Sequence, residues 1–204
     1  MAKNTKIIGL TGNIGAGKTV IAGIMESQFH IPVIKADDVA QQVVLEGHLR
    51  QDIEQILGKD IHLPDDEKKL CWDRIRAATF TSKDVETAFR SFLHDHVWGA
   101  VRQKVDRLPD HPYICVENAL LYEVGWDKYC SMVLCVWCEE TDAIYRLTKY
   151  RNYTAEEALT RLRLQMPVAK KIELSHISIN TSVVSLPLLS GLVRSIIDRI
   201  EHPM

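Results

Sequence analysis

Residues 6–19 read KIIGLTGNIGAGKT, and this stretch decides the fold. Its first half is an apolar run of strand length, its second half is rich in glycine, and helically spaced apolar residues follow as far as Phe29. Within it, Gly12-Asn13-Ile14-Gly15-Ala16-Gly17-Lys18-Thr19 satisfies G-x-x-x-x-G-K-[ST] without a mismatch, in the strand-to-helix context that the motif needs. The glycines let the backbone bend tightly, so that amide N–H groups and the positive end of the next helix face phosphate oxygens. Lys18 brings a point charge to the β- and γ-phosphates, and the Thr19 hydroxyl suits Mg²⁺, whose small octahedral shell favours hydroxyl, water and phosphate oxygens. The ligand implied is ATP with Mg²⁺, gripped from Gly12 through Val20. The alternative, a glycine-rich turn that only joins strand to helix, leaves the complete motif unexplained.

Moving outward, further strand-like runs stand at residues 32–36, 113–117, 132–138 and 176–179, with helical stretches between them. Such alternation predicts an α/β fold, a three-layer arrangement with a five-stranded parallel sheet covered by helices. Residues 38–110 show no strand signal; Val39, Val43, Val44, Ile53, Ile56 and Leu57 recur at helical spacing, so a helical insertion on the acceptor side is expected there. Pro64 with two aspartates predicts a helix running toward Phe80, and residues 82–105 a longer one with Val85, Phe89, Phe92, Val97 and Val101 on one stripe. Residues 145–174 form a second helical excursion rich in Lys and Arg, and residues 185–202 a closing amphipathic helix. The core then comprises about 1–37, 111–144 and 175–204 of a single chain.

Composition narrows the partners. With 25 Lys and Arg against 27 Asp and Glu, the formal charge is -2, and no basic stripe marks a nucleic-acid surface. Met1 to Lys6 is short and polar, leaving no room for a signal peptide, and no apolar run nears the roughly 20 residues that span a bilayer. Five cysteines without a disulfide-scaffold spacing fit a reducing compartment, so the expectation is a cytoplasmic protein acting on a small molecule, a monomer or weak homo-oligomer. Cys135 and Cys138 make a CxxC, but inside the apolar run VLCVWC, where buried strand residues are the better reading than a redox or zinc pair.

A phosphate loop alone does not separate kinases from hydrolases or switches. The ordered series IIGLTGNIGAGKT, VIKADDVAQQVV, FLHDHV, ALLYE and RNYTAEEALTRLRLQM, however, resembles the motif series of the dephospho-coenzyme A kinase family from Ile7 to about Asn180. That resemblance implies a P-loop NTPase fold with a helical acceptor-binding insertion at 38–110 and a helical lid at 145–174. It also implies transfer of the γ-phosphoryl group of ATP to the ribose 3'-hydroxyl of dephospho-coenzyme A, the last step of coenzyme A synthesis.

Taken alone, Asp37 or Asp38 reads as a cap of the following helix; the resemblance makes Asp37 the general base at the end of the second strand. Lys35 and Gln41 stand where the family has an acid and an arginine. Arg76 and His94 resemble acceptor-binding positions, with Asp95 replacing a proline after the histidine. By spacing, His94 and His96 point to different sides of a helix and form no metal pair. In ENALLYE, Leu121 and Glu123 are kept and Ala119 replaces proline; Glu123 is either an acceptor contact or an ordinary helix-start carboxylate. Arg146 and Arg151 resemble lid arginines at a spacing one residue longer than usual; with Lys149, Arg161 and Arg163 they read alternatively as a solvated helix face, but their place between the last two strands favours a lid. Arg151-Asn152-Tyr153-Thr154 leads into a helix capped at Thr154. Ser175 and His176 replace Ala-Asp ahead of Asn180, which lies near the adenine or simply ends the fifth strand. The rivals are a nucleoside or nucleotide kinase on the same core, and a nucleotide-binding regulator descended from a kinase.

Overall fold

The central strand of the main sheet is β1 (Lys6–Thr11), flanked on one side by β5 (Tyr113–Glu117) and then β2 (Val33–Lys35), and on the other by β6 (Met132–Trp137) and then β7 (Ile177–Asn180). These facts come from a computed structural model that describes residues 5–58, 60–64, 66–79, 81–108 and 111–201, apart from the side chains of Glu67, Lys68, Arg76, Leu186 and Glu201. The five strands run parallel; Ile8 stands opposite Cys115 on one side and Met132 on the other. The connection from β1 runs outward past β5 to β2, whereas that from β5 crosses back over β1 to β6. Where two neighbouring strands send their chains in opposite directions, a crevice opens beyond their carboxyl ends.

Alternation along the strands builds the core. Ile8 and Leu10 of β1, Leu134 and Val136 of β6 and Ile179 of β7 share a buried cluster with Ile21 and Met25 of α1 (Lys18–Phe29) and with Val193, Ile196 and Ile197 of α9 (Leu186–Glu201). Burying each such aliphatic side chain contributes about 1.5–3 kcal/mol. The other face of β1 carries Gly9, where a Cβ would lie 2.8 Å from both Cys130 Sγ and Leu121 Cδ1. The basic excursion becomes α6 (Glu140–Arg151), α7 (Ala155–Arg163) and α8 (Val168–Leu174), so its first helix starts at Glu140, ahead of residue 145. The expected cap of α7 is present as a reciprocal box: Thr154 Oγ1 accepts the Glu157 N–H at 3.1 Å, and Glu157 Oε2 accepts the Thr154 N–H at 2.8 Å. Those bonds hold the Glu157 carboxyl below its ordinary pKa.

The chain divides into two compact units, one of Met1–Ile34 with Asp110–Met204 and the other of Lys35–Pro109. The second holds α2 (Ala36–Leu45), α3 (Arg50–Leu57), a hairpin of β3 (His62–Leu63) and β4 (Asp66–Leu70), α4 (Trp72–Thr79) and α5 (Lys83–Arg107). The hairpin corrects the all-helical expectation for this stretch. Its second strand reads DEKKL, residues poor in β-propensity, so pairing with β3 rather than local preference makes it a strand. The helix expected from Pro64 accordingly begins at Trp72, after the Cys71 N–H has bonded the Ile61 carbonyl at 2.7 Å. In α5 the buried stripe passes through Phe89, Leu93, Val97 and Val101, so Leu93 takes the place expected of Phe92, as a strict four-residue step requires. Among the described residues no helix is long and apolar enough to cross a membrane.

Candidate active site

The phosphate loop leaves β1 at Gly12, whose φ of 140° suits glycine; a Cβ there would lie 1.6 Å from the Val136 carbonyl oxygen of the next strand. From Gly17, at φ 90°, the chain enters α1, so the amides of the loop and of the first helical turn are those that no i−4 carbonyl satisfies. Lys18 is almost fully buried and folds back on the loop, its ammonium donating to the carbonyls of Asn13 at 2.9 Å and Gly12 at 3.3 Å. Thr19 and Val20 are exposed on the first turn of α1.

The neighbouring strand ends hold this loop and the end of β1 that leads into it. Asn13 is buried, its Nδ2 donating to the Cys138 carbonyl at 3.0 Å and its Oδ1 accepting the Cys138 N–H at 3.2 Å, just beyond β6. The Asn13 side chain is therefore spent on the fold, which leaves its backbone for a nucleotide. Beyond β7, the buried Thr181 donates its hydroxyl to the Ala16 carbonyl at 2.8 Å. Beyond β5, the Asn118 N–H bonds the Leu10 carbonyl at 2.9 Å and the Ala119 carbonyl accepts the Thr11 hydroxyl at 3.2 Å. From α7's end, Gln165 Oε1 accepts the Ile14 N–H at 2.9 Å. Gln165 and Thr181 are loop-holding residues that sequence reading missed. Gln165 does sit inside the RLRLQM run, but the pattern carries no sign of where its side chain goes.

Arg146, which resembles a lid arginine in sequence, sits in α6 with its side chain reaching the phosphate loop. Its guanidinium donates to the Gly15 carbonyl of the loop at 3.2 Å, and to Thr181 Oγ1 at 2.9 Å and the Thr181 carbonyl at 2.8 Å just beyond β7. Arg151, by contrast, is exposed in the last turn of α6. Asn180 ends β7, and its Oδ1 accepts the Ser182 N–H at 2.9 Å, the turn expected of a strand-terminating Asn. His176 Nδ1 accepts the Val133 N–H at 3.1 Å, so its imidazole supplies an acceptor where the resemblance led one to expect a carboxylate.

The acceptor positions divide between the units. Leu121 is fully buried against Gly9, which corrects its expected role as an acceptor contact: a side chain with no exposed surface packs the sheet. Glu123 lies in a run of turns rather than at a helix start, its Oε1 paired with the Lys171 ammonium at 2.8 Å and accepting the Met166 N–H at 2.9 Å. In the second unit, Lys35 is the N-cap of α2 and no side chain bonds the cap amides, so neither Asp37 nor Asp38 is a cap. Asp37 is exposed in the first turn, directly after β2, and Gln41 follows one turn on along the same helix. A shallow hollow beside α2 is lined by Asp38, Gln41, Gln42, Leu45 and Glu46. His94 is part-buried on α5, 3.6 Å from Asp95. Arg76 falls on α4, and its side chain lies outside the described residues.

The family model for dephospho-CoA kinase matches residues 6–185, from the first strand through the phosphate loop to the turn beyond β7. The chain belongs to the dephospho-CoA kinase family. A dephospho-CoA kinase of Oceanobacillus iheyensis is 31% identical over 182 residues, spanning 87% of this chain and 89% of the relative. A Thermus thermophilus crystal structure aligns with a TM-score of 0.80 at 23% identity, covering 96% of this chain and 97% of its own. Dephospho-CoA kinase from Campylobacter jejuni aligns with a TM-score of 0.61 at 18% identity, covering 97% and 98%. At those identities the two structures speak for the fold alone.

Among the described residues no group of three or more His, Cys, Asp or Glu is placed to hold a metal ion. Thr19 offers one neutral oxygen, which fits a cation carried in on phosphates better than one caged by protein. Cys135 and Cys138 of the CxxC are both buried, and burial pushes the Cys135 thiol up to about 11.

Proposed function

We propose that this protein transfers the γ-phosphoryl group of ATP to the ribose 3'-hydroxyl of dephospho-coenzyme A, giving coenzyme A and ADP. The observation that carries the reading is the phosphate loop, a complete motif held at the Ile14 N–H by Gln165, at the Gly15 carbonyl by Arg146, at the Ala16 carbonyl by Thr181 and through the Asn13 side chain by Cys138, within a chain that matches the family over residues 6–185. The triphosphate lies along the amides of Gly15 through Thr19, and Lys18 exchanges the loop's carbonyls for the β- and γ-phosphates. Mg²⁺ neutralises charge on those phosphates when bound, and Thr19 is the residue that would hold it.

Asp37 accepts the proton of the 3'-hydroxyl as that oxygen forms its bond to the γ-phosphorus; the bond from that phosphorus to the β–γ bridging oxygen breaks, and ADP leaves. Exposure of Asp37 in a helical first turn, without a capping bond to occupy it, supports this role. Gln41, Arg76 and His94 hold the acceptor. Arg151 stabilises charge on the transferring group, and Arg146, whose N–H groups already serve the loop, offers its planar face to the adenine beside Asn180. The five cysteines are free thiols, which favours a cytoplasmic site of action.

A coupled assay for ADP release tests the reading. ADP should form with dephospho-coenzyme A present and fall to a trace without it; equal ADP release in both cases would make the protein a hydrolase.

A further inference from the structure

Lys171 is the largest fully buried polar side chain in the molecule's described part, with 0% exposure, and an ammonium so placed is costly unless its donors are matched. It is matched by Glu123 Oε1 at 2.8 Å and by the Ala119 carbonyl at 2.5 Å. The same Glu123 oxygen accepts the Met166 N–H at 2.9 Å. Met166 is the neighbour of Gln165, and Gln165 Oε1 takes the Ile14 N–H of the phosphate loop. A continuous path of short polar contacts thus runs from α8, through the turn after β5, to the loop that grips the triphosphate. Lys171 joins α8 to the 119–123 turn, and Glu123 of that turn bonds Met166, the neighbour of Gln165.

We infer that Gln165 positions the phosphate loop, and that the buried Glu123–Lys171 pair holds Gln165 in place through Met166. The effect is on ATP rather than on the acceptor. Ile14 stands at the crown of the loop, between Gly12 and Gly15, where the peptide plane has to be fixed for the following amides to converge. With the Ile14 N–H bonded to Gln165, its plane is set before the nucleotide arrives, and binding need not order it. Glu123, read from sequence as a possible acceptor contact, becomes a positioning residue that acts on the nucleotide side.

The test uses the full chain and rests on the kinase reading only in that ATP is the probe. Gln165→Ala removes the acceptor from a part-buried side chain and leaves the core intact. Glu123→Leu with Lys171→Met removes the ion pair while filling its space with apolar groups. For each, and for the triple combination, ATP affinity is measured at equilibrium, KM for dephospho-coenzyme A at saturating ATP, and Tm by thermal unfolding. Gln165→Ala should weaken ATP binding roughly 3- to 10-fold, as loss of one hydrogen bond does, with acceptor KM and Tm unchanged. The pair replacement should weaken ATP binding by a similar factor, and the triple variant should be no worse than the weaker of the two, since all act along one path. ATP binding by Gln165→Ala as tight as wild type or tighter would overturn the inference. So would losses that multiply in the triple variant, or a pair replacement that raises acceptor KM and spares ATP, which would return Glu123 to the acceptor. A wild-type protein that bound no ATP would overturn the kinase reading itself, and this inference with it.

Discussion

The phosphate loop and the 35–109 unit are stabilised in opposite ways. The loop is fixed by partners far away in sequence: Cys138 on Asn13, Gln165 on Ile14, Arg146 on Gly15 and Thr181 on Ala16. In the second unit, described bonds that shape the elements include short-range ones, from Arg50 to Glu54 at 2.6 Å, between His62 and Glu54 at 3.0 Å, and from the Val85 N–H to Ser82 Oγ at 3.2 Å. A loop held from four sides tolerates little change, whereas locally built helices can alter exposed positions without unravelling. Departures from the family pattern fall in both units, at Lys35, Gln41 and Asp95 in the second and at Ala119, Ser175 and His176 in the first, but the phosphate motif itself carries none.

The contrast can be broken at its strongest point first. Gly12→Ala would push a methyl group to 1.6 Å from a strand carbonyl, and we expect no measurable ATP binding or turnover. A variant that bound ATP normally would show the loop to be far more pliable than its bonds suggest. Asp37→Ala should lower kcat by roughly 10²- to 10⁴-fold, the usual worth of a general base, while ATP affinity measured by titration stays within about twofold. Retention of full turnover would remove Asp37 from the chemistry. Lys18→Met should cost roughly 10²- to 10³-fold in kcat with weakened ATP binding, and steady-state kinetics would reveal an unexpected effect on acceptor KM alone.

Changes in the second unit should be milder. Gln41→Arg, which restores the family's residue one turn beyond Asp37, should lower KM for dephospho-coenzyme A several-fold and leave KM for ATP unaltered; no change in either would take Gln41 out of the acceptor site. The smallest effect belongs to the cap of α7. Thr154→Ala should cost about 1 kcal/mol of stability by denaturant titration and leave ATP affinity unchanged. The pH dependence has a definite sign: Glu157 is held below its ordinary pKa by its bonds to Thr154, so its share of the cap is complete above the normal carboxylate range. That share is lost as pH falls through the depressed value, and Thr154→Ala should flatten this dependence.

What the sequence makes legible follows the same physical line. The sheet and the loop are readable because their signals are contiguous: KIIGLT alternates across a buried strand, and GNIGAGKT leaves few conformations but one. The β3–β4 hairpin is not, because DEKKL carries no strand preference of its own and acquires it only by pairing with His62 and Leu63. Glu123 and Gln165 are visible as letters inside recognisable motifs, yet their partners lie 48 and 151 positions away, at Lys171 and Ile14, and spacing holds no record of such contacts. Arg146 shows the same limit in reverse. A basic residue on a basic helix reads as a lid arginine or a solvated face, while the fold engages its guanidinium with Gly15 and Thr181.

The central claim, phosphoryl transfer to one particular hydroxyl, is tested most directly by following the phosphate. With γ-labelled ATP and dephospho-coenzyme A, the account predicts that the label appears as the 3'-phosphate of coenzyme A, in step with ADP. Label recovered as free phosphate, or on a different hydroxyl of the acceptor, would contradict it.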